Sequence, residues 1–252
     1  PVKHKAIGRS ARQWLCSTSL LVLADALALG GAVQAADWTG AAGQDWFAAS
    51  NWSTNTVPVA GTPVNIAIVT PNFPVIDGTA ASAGMVTVGA NSLAFGDKAQ
   101  LDIVNGGTLA SNISTIAGNA THLGMVNVSG QGALWDNTGV LTVGKGGAGY
   151  LTLSGGGQVK SSSITVGELV TSSGGILKVD GPGSRVTSAG ALYLGVESAA
   201  YMYVTHGGTV SNTVASIARD AGTQSYAFVR DKDSRWISSS DLTVGSAGIA
   251  HL

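Results

Sequence analysis

The chain has 252 residues, of which 36 are Gly, 44% are hydrophobic and only 11% are charged, and its formal net charge is −1. A Gly-, Val-, Thr-, Ser- and Ala-rich chain with so few charges favours strands and turns over helices. Four of the 13 basic and one of the 14 acidic residues fall within residues 1–35, leaving a mildly acidic remainder that argues against a nucleic-acid or anionic-membrane partner.

The N-terminus has three parts. Lys3, His4, Lys5, Arg9 and Arg12 give a basic start, Leu20 to Val33 is apolar, and Val33 and Ala35 are small residues at the −3 and −1 positions of a cut after Ala35. This pattern predicts a secretory signal peptide over residues 1–35. The apolar run is too short for a membrane span, and Asp25 interrupts it. The single cysteine, Cys16, lies ahead of the apolar run, so the exported part has neither disulfide nor thiolate chemistry.

Residues 36–63 form an N-terminal cap segment containing Trp38, Trp46 and Trp52. Three indoles here either make an aromatic platform for a glycan or cover the first turn of the repeating region downstream; solenoid ends need covers, which favours the second.

From residue 64 to residue 252 the chain repeats itself about every 25 residues, loosely at first and clearly from Gln100. Each unit opens with an alternating triplet, turns at a Gly-rich tetrapeptide and carries a second apolar triplet about sixteen residues in. The first triplet places Val126/Val128, Leu151/Leu153, Leu177/Val179, Met202/Val204 and Ala227/Val229 on one face, with Asn127, Thr152, Lys178, Tyr203 and Phe228 on the other. Leu141/Val143, Ile164/Val166, Leu192/Leu194, Ala215/Ile217 and Leu242/Val244 repeat the pattern. One unit cannot bury such a stripe alone, but stacked units bury a continuous one. The expected fold is all-β, a right-handed parallel β-helix or β-solenoid of six or seven rungs; a β-sandwich is the alternative. A superperiod of about 50 residues is also visible: Trp135, Val186 and Trp236 share a column in alternate rungs, with Leu109, Val159 and Val210 one position earlier between them. The final unit, ending "GIAHL", has no capping character, which leads us to expect a longer protein.

Units such as "VDGPGSRVTSAGALYLG" and "VSGQGALWDNTGVLTVG", with turns such as "THGGTV", resemble the repeats in passenger regions of bacterial type V autotransporters and in some PEP-CTERM surface proteins. The resemblance runs from about Asp37 to Leu252. It implies a β-helical passenger displayed at the bacterial cell surface, outer membrane-associated or extracellular, with a C-terminal outer-membrane β-barrel in cis.

Candidate sites are few. "GVLTVGKGGAG", Gly139 to Gly149, contains Gly144-x-Gly146-x-x-Gly149 and comes close to a phosphate-cradling loop, but it runs into another strand where a nucleotide site needs a helix. Its glycines therefore read as turn residues. Asp231 and Asp233 in "RDKDSR" have the spacing of a carboxylate pair, yet stand at a corner held elsewhere by "DGPGSR" and "THGGTV", so a solvated corner is expected. His122 and His206 lack acidic neighbours at ligand spacing in the sequence. No catalytic, metal or cofactor residue is assigned. Trp38, Trp46, Trp52, Tyr203 and Phe228 are the candidate ligand contacts, and surface or matrix glycans or proteins of a host or neighbouring cell are the expected partners. A non-catalytic adhesion or display scaffold is thus the expected function, with a polysaccharide lyase or glycosidase on the same scaffold, or a PEP-CTERM-type spacer, as alternatives.

Overall fold

The computed structural model describes residues 33–67, 71–91, 98–171 and 174–252; nearly all of the expected signal peptide lies outside them. Parallel strands stack into a β-solenoid of about eight turns, with successive rungs about 25 residues apart. Each rung contributes to three faces. The first is built from Ala99–Val104, His122–Ser129, Ala148–Ser154, Gly175–Asp180, Ala200–Thr205 and Gln224–Val229, with Val75–Asp77 and Ile249–His251 at its ends. The second contains Thr108–Ser111, Arg185–Ser188, Thr209–Asn212 and Arg235–Ser238, and the third Ser114–Ile116, Ala191–Leu194, Val214–Ile217 and Leu242–Val244. Leu134–Val143 and Gln158–Val166 run through both of these faces, bending between them.

The predicted alternation determines what is buried. Val126, Val128, Leu151, Leu153, Leu177, Val179, Met202 and Val204 are all fully buried from the first face, as are Leu141, Val143, Ile164, Val166, Leu192 and Leu194 from the third. They belong to one continuous core. At the C-terminal rung the same columns open to solvent, with Val229, Leu242 and Val244 each more than one-third exposed.

The superperiod has a different basis from the offset expected. Trp135 pairs in register with Leu109 and Val159, Val186 with Val159 and Val210, and Trp236 with Val210, so all six share one column. The corner before that column absorbs the extra residue. Short corners, Asn105–Gly107, Gly155–Gly157 and His206–Gly208, place two successive residues at positive φ, as a type I′ turn requires. Long corners put Gly130 and Gly132, Gly181 and Gly183, or Asp231 and Asp233 at positive φ, separated by one residue. In a short corner the third residue passes so close to the rung beneath that a Cβ on Gly157 would lie 2.1 Å from the Val128 carbonyl oxygen. Long corners stand off and accept Ala133, Ser184 and Ser234 at that place, and the Ser184 and Ser234 hydroxyls accept hydrogen bonds from the Gly156 and Gly207 amides of short corners beside them (3.1 and 3.0 Å).

A second recurring device ends the third-face strands. Ala117, Gly144, Gly167, Gly195, Ala218 and Gly245 all sit at φ between 52° and 74°, the left-handed region that turns the chain back toward the first face. In "GVLTVGKGGAG", Gly144 therefore marks the strand end as expected. Gly149 does not turn the chain: it lies within Ala148–Ser154, where a Cβ would fall 2.1 Å from the Gly144 nitrogen.

Beneath the corner between the second and third faces runs a buried polar ladder. Asn137 is fully buried; its Oδ1 accepts from the Ser111 and Ser114 hydroxyls (3.0 and 2.7 Å), and its Nδ2 donates to the Gly139 carbonyl (2.9 Å) and to Ser161 Oγ (3.3 Å). The indole N–H of Trp135 donates to Ser111 Oγ, and that of Trp236 to Asn212 Oδ1, each one rung back (2.9 and 2.7 Å). Buried polar atoms at this bend are thereby satisfied.

Candidate functional site

The five candidate ligand contacts divide into two groups. Trp38, Trp46 and Trp52 are buried, at 1%, 0% and 1% exposure, which removes them from the surface and corrects their assignment as ligand contacts. Their rings meet edge to face, Trp38 with Trp52 at 5.0 Å and Trp46 with Trp52 at 4.7 Å, the arrangement that the ring quadrupole favours. Ala36–Asp37 pairs in parallel with Val64–Ile66, Trp38 bridges to Trp52, and buried Asn51 ties the intervening loop by accepting from the Ala42 amide and donating to the Asp45 carbonyl. The indoles thus join the core at the start of the solenoid, with Trp52 Nε1 donating to the Trp46 carbonyl and Trp38 Nε1 to the Asn72 carbonyl (both 2.8 Å), while Trp46 Nε1 is buried without a partner among the described residues.

Tyr203 and Phe228 are neighbours on the outer surface of the first face, paired in register and stacked with centroids 5.3 Å apart. Tyr201 and Tyr226 stack beside them at 5.3 Å, and His251 continues that row, 4.5 Å from Tyr226. The Arg230 guanidinium lies over Phe228 at 5.1 Å, a cation–π geometry. The repeat itself explains the patch. Outward positions two apart on a strand and one rung apart in the stack bring four aromatic residues together. Tyr201 and Tyr226 were missed because the alternating triplet begins one residue after each; extending it N-terminally by one outward position finds both. Since ring faces stack on one another, solvent meets mainly ring edges and phenol hydroxyls.

Charged groups gather at the adjoining corner. His206, exposed and at φ 51°, lies between two carboxylates supplied by rungs on either side. Its Nδ1 is 2.7 Å from Asp180 Oδ1, its Nε2 is 3.5 Å from Asp231 Oδ2, and its backbone N–H donates to Asp231 Oδ2 at 3.2 Å. Thr205 Oγ1 also donates to Asp180, at 2.5 Å. A carboxylate opposite each ring nitrogen favours imidazolium, which can donate from both. The His206 pKa is accordingly raised, first by the Asp180 hydrogen bond and then by the charge of Asp231, and the Asp180 carboxyl is held below its usual range by His206 and then Thr205. His206 is therefore not isolated. Its partners stand 26 residues before and 25 after it in the sequence, one repeat period away on each side, a spacing at which the sequence reading assigns no partner. Asp231 serves as a partner for His206, while Asp233 occupies a turn position at φ 66°. Positive φ is tolerated by Asp more readily than by most residues.

The arrangement offers stacked aromatic edges, hydroxyls and paired charges, chemistry suited to non-covalent recognition. Among the described residues, no group of three His, Cys, Asp or Glu side chains is placed to hold a metal ion. Comparisons with protein-family models, curated proteins and solved structures find no match to this chain.

Proposed function

We propose that this chain is the passenger part of an exported bacterial surface protein, a non-catalytic adhesion or display scaffold of the type V autotransporter kind, carried by a C-terminal outer-membrane β-barrel in cis. The observation that supports this reading most is the division of labour along every rung. Apart from the polar ladder at one bend, inward columns are dominated by Val, Leu and Ile, whereas outward positions vary widely in chemistry, as in the Tyr201, Tyr203, Tyr226 and Phe228 patch. A scaffold needs that separation, because its surface can vary without disturbing the core. The basic, apolar and small-residue sequence of residues 1–35 supports export. A spacer role is the second reading, and the mutual stacking of the ring faces favours it.

The test is to produce the whole chain in a Gram-negative host. The expected product is cleaved after Ala35 and, once purified, is retained on cell-surface or matrix glycans and glycoproteins. An uncleaved cytoplasmic product overturns export; a cleaved, folded product retained by none of these surfaces leaves the spacer.

A further inference from the structure

The corner between the second and third faces carries a groove on its outer side. One basin of about 530 Å³ lies among residues 60–63, 82–85 and 110–113, and Thr138 joins it to a second of about 330 Å³ that continues past Asp136 and Lys160. The groove therefore crosses several consecutive rungs. Met85 and Ile113, 46% and 48% exposed, form an apolar wall, while Asn112 and Thr138 present an amide and a hydroxyl at the surface; the Thr138 hydroxyl donates toward the Ser111 carbonyl and Asn112 Oδ1 (3.3 and 3.4 Å), which leaves its oxygen to accept and the Asn112 Nδ2 to donate.

Two observations select the occupant. Thr108–Ser111 is paired on both sides, with Ala80–Ser82 and with Leu134–Val143, and Ser114–Ile116 is likewise paired with Val86–Val88 and with Leu134–Val143. A peptide strand would find no open backbone edge there to join. Asp136 and Lys160 are register partners of opposite sign, so the groove offers no net charge to an acidic or basic polymer. These features suit an uncharged polymer, with hydroxyls for Asn112 and Thr138 and C–H surfaces for Met85 and Ile113.

We propose that this groove binds a neutral polysaccharide chain laid along the solenoid axis. The proposal rests on the adhesive reading above and names its ligand class. Affinity electrophoresis of the full chain through gels containing dextran, laminarin or galactomannan, and separately alginate or polygalacturonate, tests it. At least one neutral polymer is expected to retard the protein. Thr138→Arg, which fills the junction of the two basins, is expected to weaken that binding at least tenfold, and Thr138→Val, which removes only the hydroxyl, to weaken it less. Thr152→Arg on the first face leaves it unchanged. Circular dichroism confirms that each variant is folded, and Thr138→Val supplies the result if Thr138→Arg does not fold. Retardation only by acidic polymers, retardation by none, or variants at Thr138 that bind like the parent overturn the groove. If the chain still adheres to surfaces in that case, the adhesive reading survives; if it adheres to nothing, both fall.

Discussion

Replacing Gly157 by Ala probes what makes the corners alternate. The new Cβ would stand 2.1 Å from the Val128 oxygen and 2.6 Å from its carbonyl carbon, where ordinary contact begins at 3.4 Å. The corner therefore has to retreat by more than an ångström from the rung beneath. Two hydrogen bonds are strained by that retreat, Gly157 N to the Ser154 carbonyl (3.0 Å) and Gln158 N to the Ala133 carbonyl (2.9 Å). At about 0.5–1.5 kcal/mol each, together with about 1–3 kcal/mol for overpacking, they put the loss at about 2–6 kcal/mol. The reciprocal change, Ala133→Gly in a long corner, removes a fully buried methyl that already fits and is expected to cost only about 1–2 kcal/mol in backbone freedom and lost burial. Urea unfolding followed by circular dichroism measures both differences. A Gly157→Ala protein within about 0.5 kcal/mol of the parent, or an Ala133→Gly protein equally weakened, would refute the steric explanation.

Asn137→Ala removes the acceptor of the Ser111 and Ser114 hydroxyls, leaving them only each other to donate to, while the Gly139 carbonyl keeps the Ser161 hydroxyl; the expected loss of about 1–3 kcal/mol is read from the same unfolding curves. Trp52→Ala removes the ring that both other indoles contact and should destabilise the chain by about 3–5 kcal/mol; the unfolding midpoint checks it. The raised His206 pKa makes its contribution to stability complete below the unfolded value of about 6.5 and lost as pH rises through the folded value. An NMR titration should place His206 above that value in the parent and lower in Asp180→Asn, whereas identical titrations would show that Asp180 does not set it.

The rung period, the inward columns and the placement of Tyr203 and Phe228 on an outer face were legible because a stacked repeat converts sequence columns directly into spatial ones. Corner lengths were harder to read. A one-residue insertion shifts a column in the alignment, yet the turn takes up that residue and Trp135 still lies opposite Leu109. The burial of Trp38, Trp46 and Trp52 depends on the unrepeated Asn51 loop, for which no column offers a second reading. His206 reads as unaccompanied in the sequence for the opposite reason: a solenoid's neighbours lie a whole period away, beyond helix and loop spacings.

The polar ladder has a consequence for assembly. Near-identical rungs invite a strand to dock one place too far along, since the apolar columns alone would accept the slip. The indole of Trp135 and the amide of Asn137 would not. Ala83 stands where Ser111 belongs if one rung is skipped, leaving the Trp135 N–H and the Asn137 carbonyl oxygen against a methyl group. These side chains act as teeth of a key: besides packing the core, they favour the rung that carries the matching hydroxyl over one that offers a methyl.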